Sequence, residues 1–463
     1  MTTTAPSTPA RGQDQLAQTL QPRHLSMIAL GGAIGAGLLV ASSTAIATAG
    51  PGVIITYLLA ACLLVLIMRM LGQMAALNPQ TGSFAVYARQ YLGPWAGFSV
   101  GWLYWWFWSV TSAIEATAAA QIINSWVPSW PQWLIALALM LLFTGLNLVS
   151  VRSFGEAEFW FSSLKVGALT AVIILGLLAL GGLWPASGAS VSLLFSQGGF
   201  LPQGPGAIFS ALLAVIFSMF GAEIATLAAG ESYQPRQAVA QAVRSVIFRV
   251  LFFYCGSIAV TLMVVPWTAM SPGVSPFVTL LEALKIPYAG LAMNLVVLSA
   301  LLSCLNASLY ASSRMVFALA DQGDAPASLR ELSGRRAPQK AILLTAAVGF
   351  AATALNYFMP DQVFTLLVNS TGAIGIFVWM MIVASHLASR AEARAAGVDR
   401  QISLPGGPAL NYALLLGLLL LLVFMAFDPA HRLEVLLSVT VAGLLVAWGL
   451  LRQLRNPLQK AYS

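Results

Sequence analysis

Two carboxylates, Glu115 and Glu223, and one ammonium, Lys165, stand inside long apolar runs of this 463-residue chain. An ionisable group is costly to hold in hydrocarbon, so each of the three marks a functional site by default. Tyr104, Trp108, Thr111 and Glu115 recur at i, i+4, i+7 and i+11, which places them on one stripe of a helix. Glu223 closes the stretch Phe217-Ser218-Met219-Phe220-Gly221-Ala222. Lys165 follows Glu158-Phe159-Trp160-Phe161 near the start of its run. Each has a plainer reading: a polar tie between helices for the carboxylates, snorkelling to the interface for the lysine. Neither carboxylate has a His partner, and the three His are scattered. The residues therefore offer no acid–base pair for an enzyme and no metal or cofactor site. A phosphate-binding Gly-x-x-x-x-Gly-Lys loop is also missing, which argues against an ATP-driven pump.

The elements that must position these groups follow from composition. Hydrophobic residues make up 59% and charged residues 8%, too little charge to cover a soluble protein of this size. A spanning helix takes roughly 20 apolar residues, so the chain has room for about twelve. The runs fall at 26–49, 53–77, 96–122, 131–150, 160–182 and 206–229, then 246–267, 288–319, 340–358, 361–388, 409–427 and 433–454. Pro and Gly cluster between them as turns. Of the 22 Lys and Arg, only Lys285 and Arg432 fall on one side, and Lys165 lies within a span. The remainder mark the cytoplasmic face, which predicts both termini inside and makes the net charge of +7 a topology signal rather than a nucleic-acid footprint. Residues 1–22 read as a disordered tail before a retained first span. Cys62, Cys255 and Cys304 all sit in apolar segments, away from any disulfide framework.

The apolar pattern breaks twice at matching places. Span one carries Gly31-Gly32-Ala33-Ile34-Gly35-Ala36-Gly37, and span six carries Phe217 to Glu223. Paired broken helices in two halves mark the midplane site of a secondary transporter. A glycine run leaves helical geometry cheaply and exposes N–H groups suited to a carboxylate. The expected solute site therefore comprises Ile34, Gly35, Ala36, Gly37, Phe217, Ser218, Phe220 and Glu223. Trp108 and Glu115 from span three join it, as do Ser303 and Cys304 from the polar interruption in span eight. Close helix packing is the other reading of such small residues.

Several further pieces match a known family in order: Ala49-Gly50-Pro51, Thr81-Gly82-Ser83-Phe84, Phe154 to Trp160, Gln197 to Phe200, Ala228 to Ser232, Leu305 to Tyr310 and Gly323-Asp324-Ala325-Pro326. With them the chain resembles the amino acid transporters of the amino acid–polyamine–organocation superfamily. Gly101 to Trp108, Ile114-Glu115-Ala116, Ser125 to Pro128, Gly221 to Ile224 and Ser303 to Asn306 are similar to the bacterial 4-aminobutyrate permeases. Gly37 departs from that subgroup, which tends to have Ser there. The resemblance implies proton-coupled uptake through a five-plus-five inverted repeat, and it implies a coupling role for Lys165 beside Glu115 and Glu223.

The sequence thus predicts an all-α polytopic membrane protein of the cell (inner) membrane. The first repeat spans 23–205, the second 206–388, and two extra helices with a short tail occupy 389–463. Its expected partners are a small amino acid, a proton and the bilayer, with no oligomer required. Relatives for aromatic, basic or small neutral amino acids, and a non-transporting sensor on the same fold, are the alternatives.

Overall fold

The computed structural model describes residues 34–77, 83–149, 152–184, 188–221, 223, 250–333, 337–359, 362–395, 404, 406–429 and 431–455. The tail 1–22, Gly31 to Ala33, and the predicted span portions 224–229 and 246–249 lie outside these.

Among the described residues the ordered elements are helical. In chain order they are α1 (Ala36–Leu39), α2 (Ala41–Ala49), α3 (Val53–Leu77), α4 (Ser83–Leu92), α5 (Pro94–Trp126), α6 (Gln132–Val149) and α7 (Arg152–Leu180). Then come α8 (Leu193–Ser196), α9 (Gly206–Ser210), α10 (Leu212–Met219), α11 (Ser257–Val264) after a π-helical turn at Val250–Gly256, and α12 (Pro276–Ala283). The last five are α13 (Ala289–Asp321), α14 (Gln339–Phe358), α15 (Val363–Ala395), α16 (Gly407–Phe427) and α17 (Arg432–Arg455). Eight described stretches are long and apolar enough to cross a membrane, and Gly206–Met219 and Leu251–Val264 are shorter apolar helices. In lipid the backbone must satisfy its own hydrogen bonds, which is why apolar runs become helices.

Helix limits track the predicted runs closely where turn chemistry is strong. The Gly50–Gly52 turn separates α2 from α3, with Gly50 at a φ of +58° that favours glycine. Pro94, lacking an N–H, opens α5 at a position where none is needed. The amphipathic α4 was not foreseen. Its Phe84, Tyr87 and Ala88 face inward at helical spacing, and Arg89 stands in its last turn. Arg89 and Arg452 both pair with the buried Asp324, the latter at 3.3 Å, so α4, the end of α13 and the end of α17 meet on one charge.

The centre of the molecule is α5, packed by α13, α4, α15, α17, α6 and α14. Its buried surface is unusually polar for a core, with Ser99, Ser109, Thr111, Ser112, Glu115 and Thr117. Most of these hydroxyls donate to carbonyls three or four residues back, as Thr111 does to Phe107 at 2.8 Å. That leaves Glu115 as the group needing a partner from elsewhere.

Candidate functional site

The first broken span supplies that partner. Gly35 is extended (φ −136°, ψ −152°), α1 runs for one turn, and Val40 (φ −128°, ψ −55°) interrupts it before α2 resumes. Among the described residues the helix starts at Ala36 and is interrupted at Val40, beyond the glycine run where the sequence placed the break. The first turn of a helix has N–H groups without intrahelical acceptors. Here the Ala36 N–H donates to both oxygens of Glu115, at 3.1 and 3.2 Å. A carboxylate thus sits on the helix start, where partial positive charge favours it.

Within the predicted run 206–229 the described helix stops near the expected place. Helix α10 ends at Met219, Phe220 is extended (φ −66°, ψ 146°), and Gly221 takes a φ of +117°. The Gly221 N–H donates to both carboxylate oxygens of Glu223, at 3.1 and 3.0 Å. Glu223 is therefore a cap on its own break. Phe217 is less open than foreseen, since its carbonyl already accepts from the Phe220 N–H at 3.2 Å.

The two breaks touch at Gly37. A Cβ built there would stand 2.4 Å from the Ser218 Cα, a backbone atom that no rotamer change can move away. Glycine at 37 is thus the residue that lets these two segments meet.

A cavity with an empty volume of about 250 Å³ lies between them. Gly35 and Gly37 line one wall, Trp108, Thr111 and Glu115 of α5 another, and Phe217, Ser218 and Phe220 a third, with Phe107 alongside. Phe107 and Phe220 approach to 4.5 Å between ring centroids, and Trp379 of α15 stacks on Phe220 at 5.3 Å. Trp108 is buried, with its indole N–H beside the Tyr104 hydroxyl one turn earlier on α5.

Of the predicted site, Ala36 and Glu223 are off the cavity wall, and Ile34, Ser303, Cys304 and Lys165 fall behind Gly35. The Lys165 ammonium donates to Ser303 Oγ at 2.9 Å and lies 3.7 Å from Cys304 Sγ, which in turn donates to the Ile34 carbonyl at 3.5 Å. Lys165 is buried, so snorkelling is not its role in this arrangement. It is also within coulombic reach of Glu115. Sequence reasoning missed Phe107, hidden in an aromatic run that looked like packing, and Trp379, whose contact depends on the long-range approach of α15. Thr111 was legible only as part of the stripe.

Interrupted helices around a small cavity that holds a buried carboxylate, in an apolar bundle, fit a membrane carrier, and the chain belongs to the amino acid permease family, whose model matches residues 24–453. It is 45% identical over 453 residues to a probable GABA permease of Pseudomonas aeruginosa, covering 97% of this chain and 95% of that one. It is 42% identical to the gamma-aminobutyric acid permease of Bacillus subtilis, covering 97% of each. The aromatic amino acid transport protein AroP of Corynebacterium glutamicum is 38% identical, covering 94% of this chain and 95% of that one.

Proposed function

We propose that the chain is a proton-coupled importer of 4-aminobutyrate or a similarly small amino acid. It would work in the cell's inner membrane through twelve spans, built as a five-plus-five inverted repeat with two further helices and both termini cytoplasmic. The observation that carries this reading is the carboxylate of Glu115 held on the Ala36 N–H at the start of a broken helix. That donor is built for a carboxylate, and the protein's own side chain occupies it.

Coupling follows from competition for this donor. A substrate carboxylate and an ionised Glu115 repel each other at one N–H. A proton on Glu115 removes the repulsion and frees the donor, so proton and substrate load together. Lys165, tied to Ser303 and Cys304 behind the site, compensates the charge that Glu115 carries when the site is empty. The solute amino group is left for the end of α10, where the last carbonyls of a helix lack intrahelical donors.

Size supports a short substrate. The cavity is small and walled by Phe107, Phe217 and Phe220. An indole side chain would have to displace those rings, whereas an unbranched chain would not. The relatives named for 4-aminobutyrate agree with that reading. Purified protein in proteoliposomes should accumulate labelled 4-aminobutyrate under an inward proton gradient, with no need for sodium. Binding without saturable accumulation would make it a sensor, and preferential uptake of an aromatic amino acid would overturn the substrate assignment.

A further inference from the structure

A second polar cluster lies away from the carrier site, fully buried between α3, α15 and α16. The His386 Nε2 of α15 is 2.5 Å from Gln73 Oε1 of α3, and its Nδ1 is 2.9 Å from Asn411 Nδ2 of α16. Asn411 Nδ2 also donates to the Val383 carbonyl at 3.2 Å. Gln73, His386 and Asn411 are all buried, at 2%, 0% and 0% exposure.

The direction of this chain of bonds is set by a main-chain atom. The Val383 carbonyl can only accept, so the Asn411 amide must turn its NH₂ group toward it. That same NH₂ then faces His386 Nδ1, which must accept and so carries no proton. The one ring proton sits on Nε2 and goes to Gln73 Oε1. A doubly protonated ring would set N–H against N–H at Asn411. Flipping the amide would bring its oxygen against the Val383 oxygen, so no orientation accommodates the second proton.

We propose that Gln73, His386 and Asn411 form a pH-responsive latch, in which a neutral His386 holds the start of α16 against α15 and a protonated ring, still donating to Gln73, lets it go. All three residues lie toward the helix ends that the basic residues assign to the cytoplasm, so the sensed proton would come from there. The latch bears on transport because α15, which carries His386, packs on α10, the broken helix. Histidine is the side chain whose charge changes in the physiological range. The charged groups around it are Arg390 one turn on along α15, the exposed Arg69 one turn before Gln73 on α3, and Glu392 beside Tyr91 of α4. Tyr87 of α4 is buried on the face that packs toward α15, and Tyr412 of α16, next to Asn411, is exposed.

The test compares thermal unfolding and amide hydrogen exchange of the full chain in detergent at pH 7.5 and pH 5.5, and needs no substrate. His386→Gln keeps an amide N–H for Gln73 and cannot titrate. Gln73→Glu offers a carboxylate that pairs with a protonated ring. On acidification the wild type should lose several degrees of Tm more than His386→Gln, with faster exchange over residues 407–415. Gln73→Glu should lose less than the wild type, since acid strengthens its pair. Parallel pH dependence in wild type and His386→Gln would overturn the latch. Should His386→Gln fail to fold, an acid loss in Gln73→Glu equal to that of the wild type would overturn it alone.

Discussion

The carboxylate of Glu115 and the backbone N–H of Ala36, 79 residues apart, are bonded through both carboxylate oxygens at 3.1 and 3.2 Å. One N–H shared by two oxygens leaves the carboxylate short of donors. It is thus a partner that a better-placed carboxylate can replace.

Glu115→Gln keeps the shape and removes the charge that a proton would neutralise. Binding of 4-aminobutyrate should persist and lose its dependence on pH, while gradient-driven accumulation falls at least about tenfold, the loss of roughly 1.4 kcal/mol of coupling. Isothermal binding at several pH values beside proteoliposome uptake reads both. A variant that accumulates as well as the wild type would show that Glu115 does not carry the proton.

Lys165→Ala removes the ammonium that bonds Ser303 and compensates Glu115. Leaving a buried charge without its counter-charge destabilises by several kcal/mol in the worst case, about 3–5. The expected result is a lower Tm, with accumulation reduced more than binding. Pairing the change with Glu115→Gln, which removes the orphaned charge, should restore much of the Tm. No rescue in the double variant would mean that the two groups are not coupled.

Trp108→Phe deletes a buried indole N–H on a side chain that lines the cavity. If the solute takes that bond, affinity should drop by about 1 kcal/mol, roughly fivefold, with Tm unchanged or raised. Equal affinity in the variant would leave the N–H outside the recognition of substrate.

Gly37→Ala places a methyl 2.4 Å from the Ser218 Cα. Overpacking of this kind costs about 1–3 kcal/mol, and the offending atom is backbone, so Ser218→Gly should not rescue it. Tm of the single and double variants, with uptake, would check this. A fully active Gly37→Ala would mean that the two broken spans can separate freely at this point.

Much of the architecture was legible because lipid leaves a helix few alternatives. Apolar length and Pro-Gly turns set α3 at Val53–Leu77 and α14 at Gln339–Phe358, against predicted runs of 53–77 and 340–358. The stripe through Trp108, Thr111 and Glu115 followed from helical period alone, and glycine chemistry pointed to both breaks. Tertiary structure decided what those residues meet. Only the approach of α5 to the first broken span puts Glu115 on Ala36, and only the packing of α13 on α7 gives Lys165 its bond to Ser303. The same holds for Trp379 on Phe220, for Asp324 between two arginines, and for His386 between Gln73 and Asn411. Helical periodicity assigns a residue to a face from its near neighbours in sequence. The partner across that face comes from a distant segment, and which one it is depends on how whole helices pack.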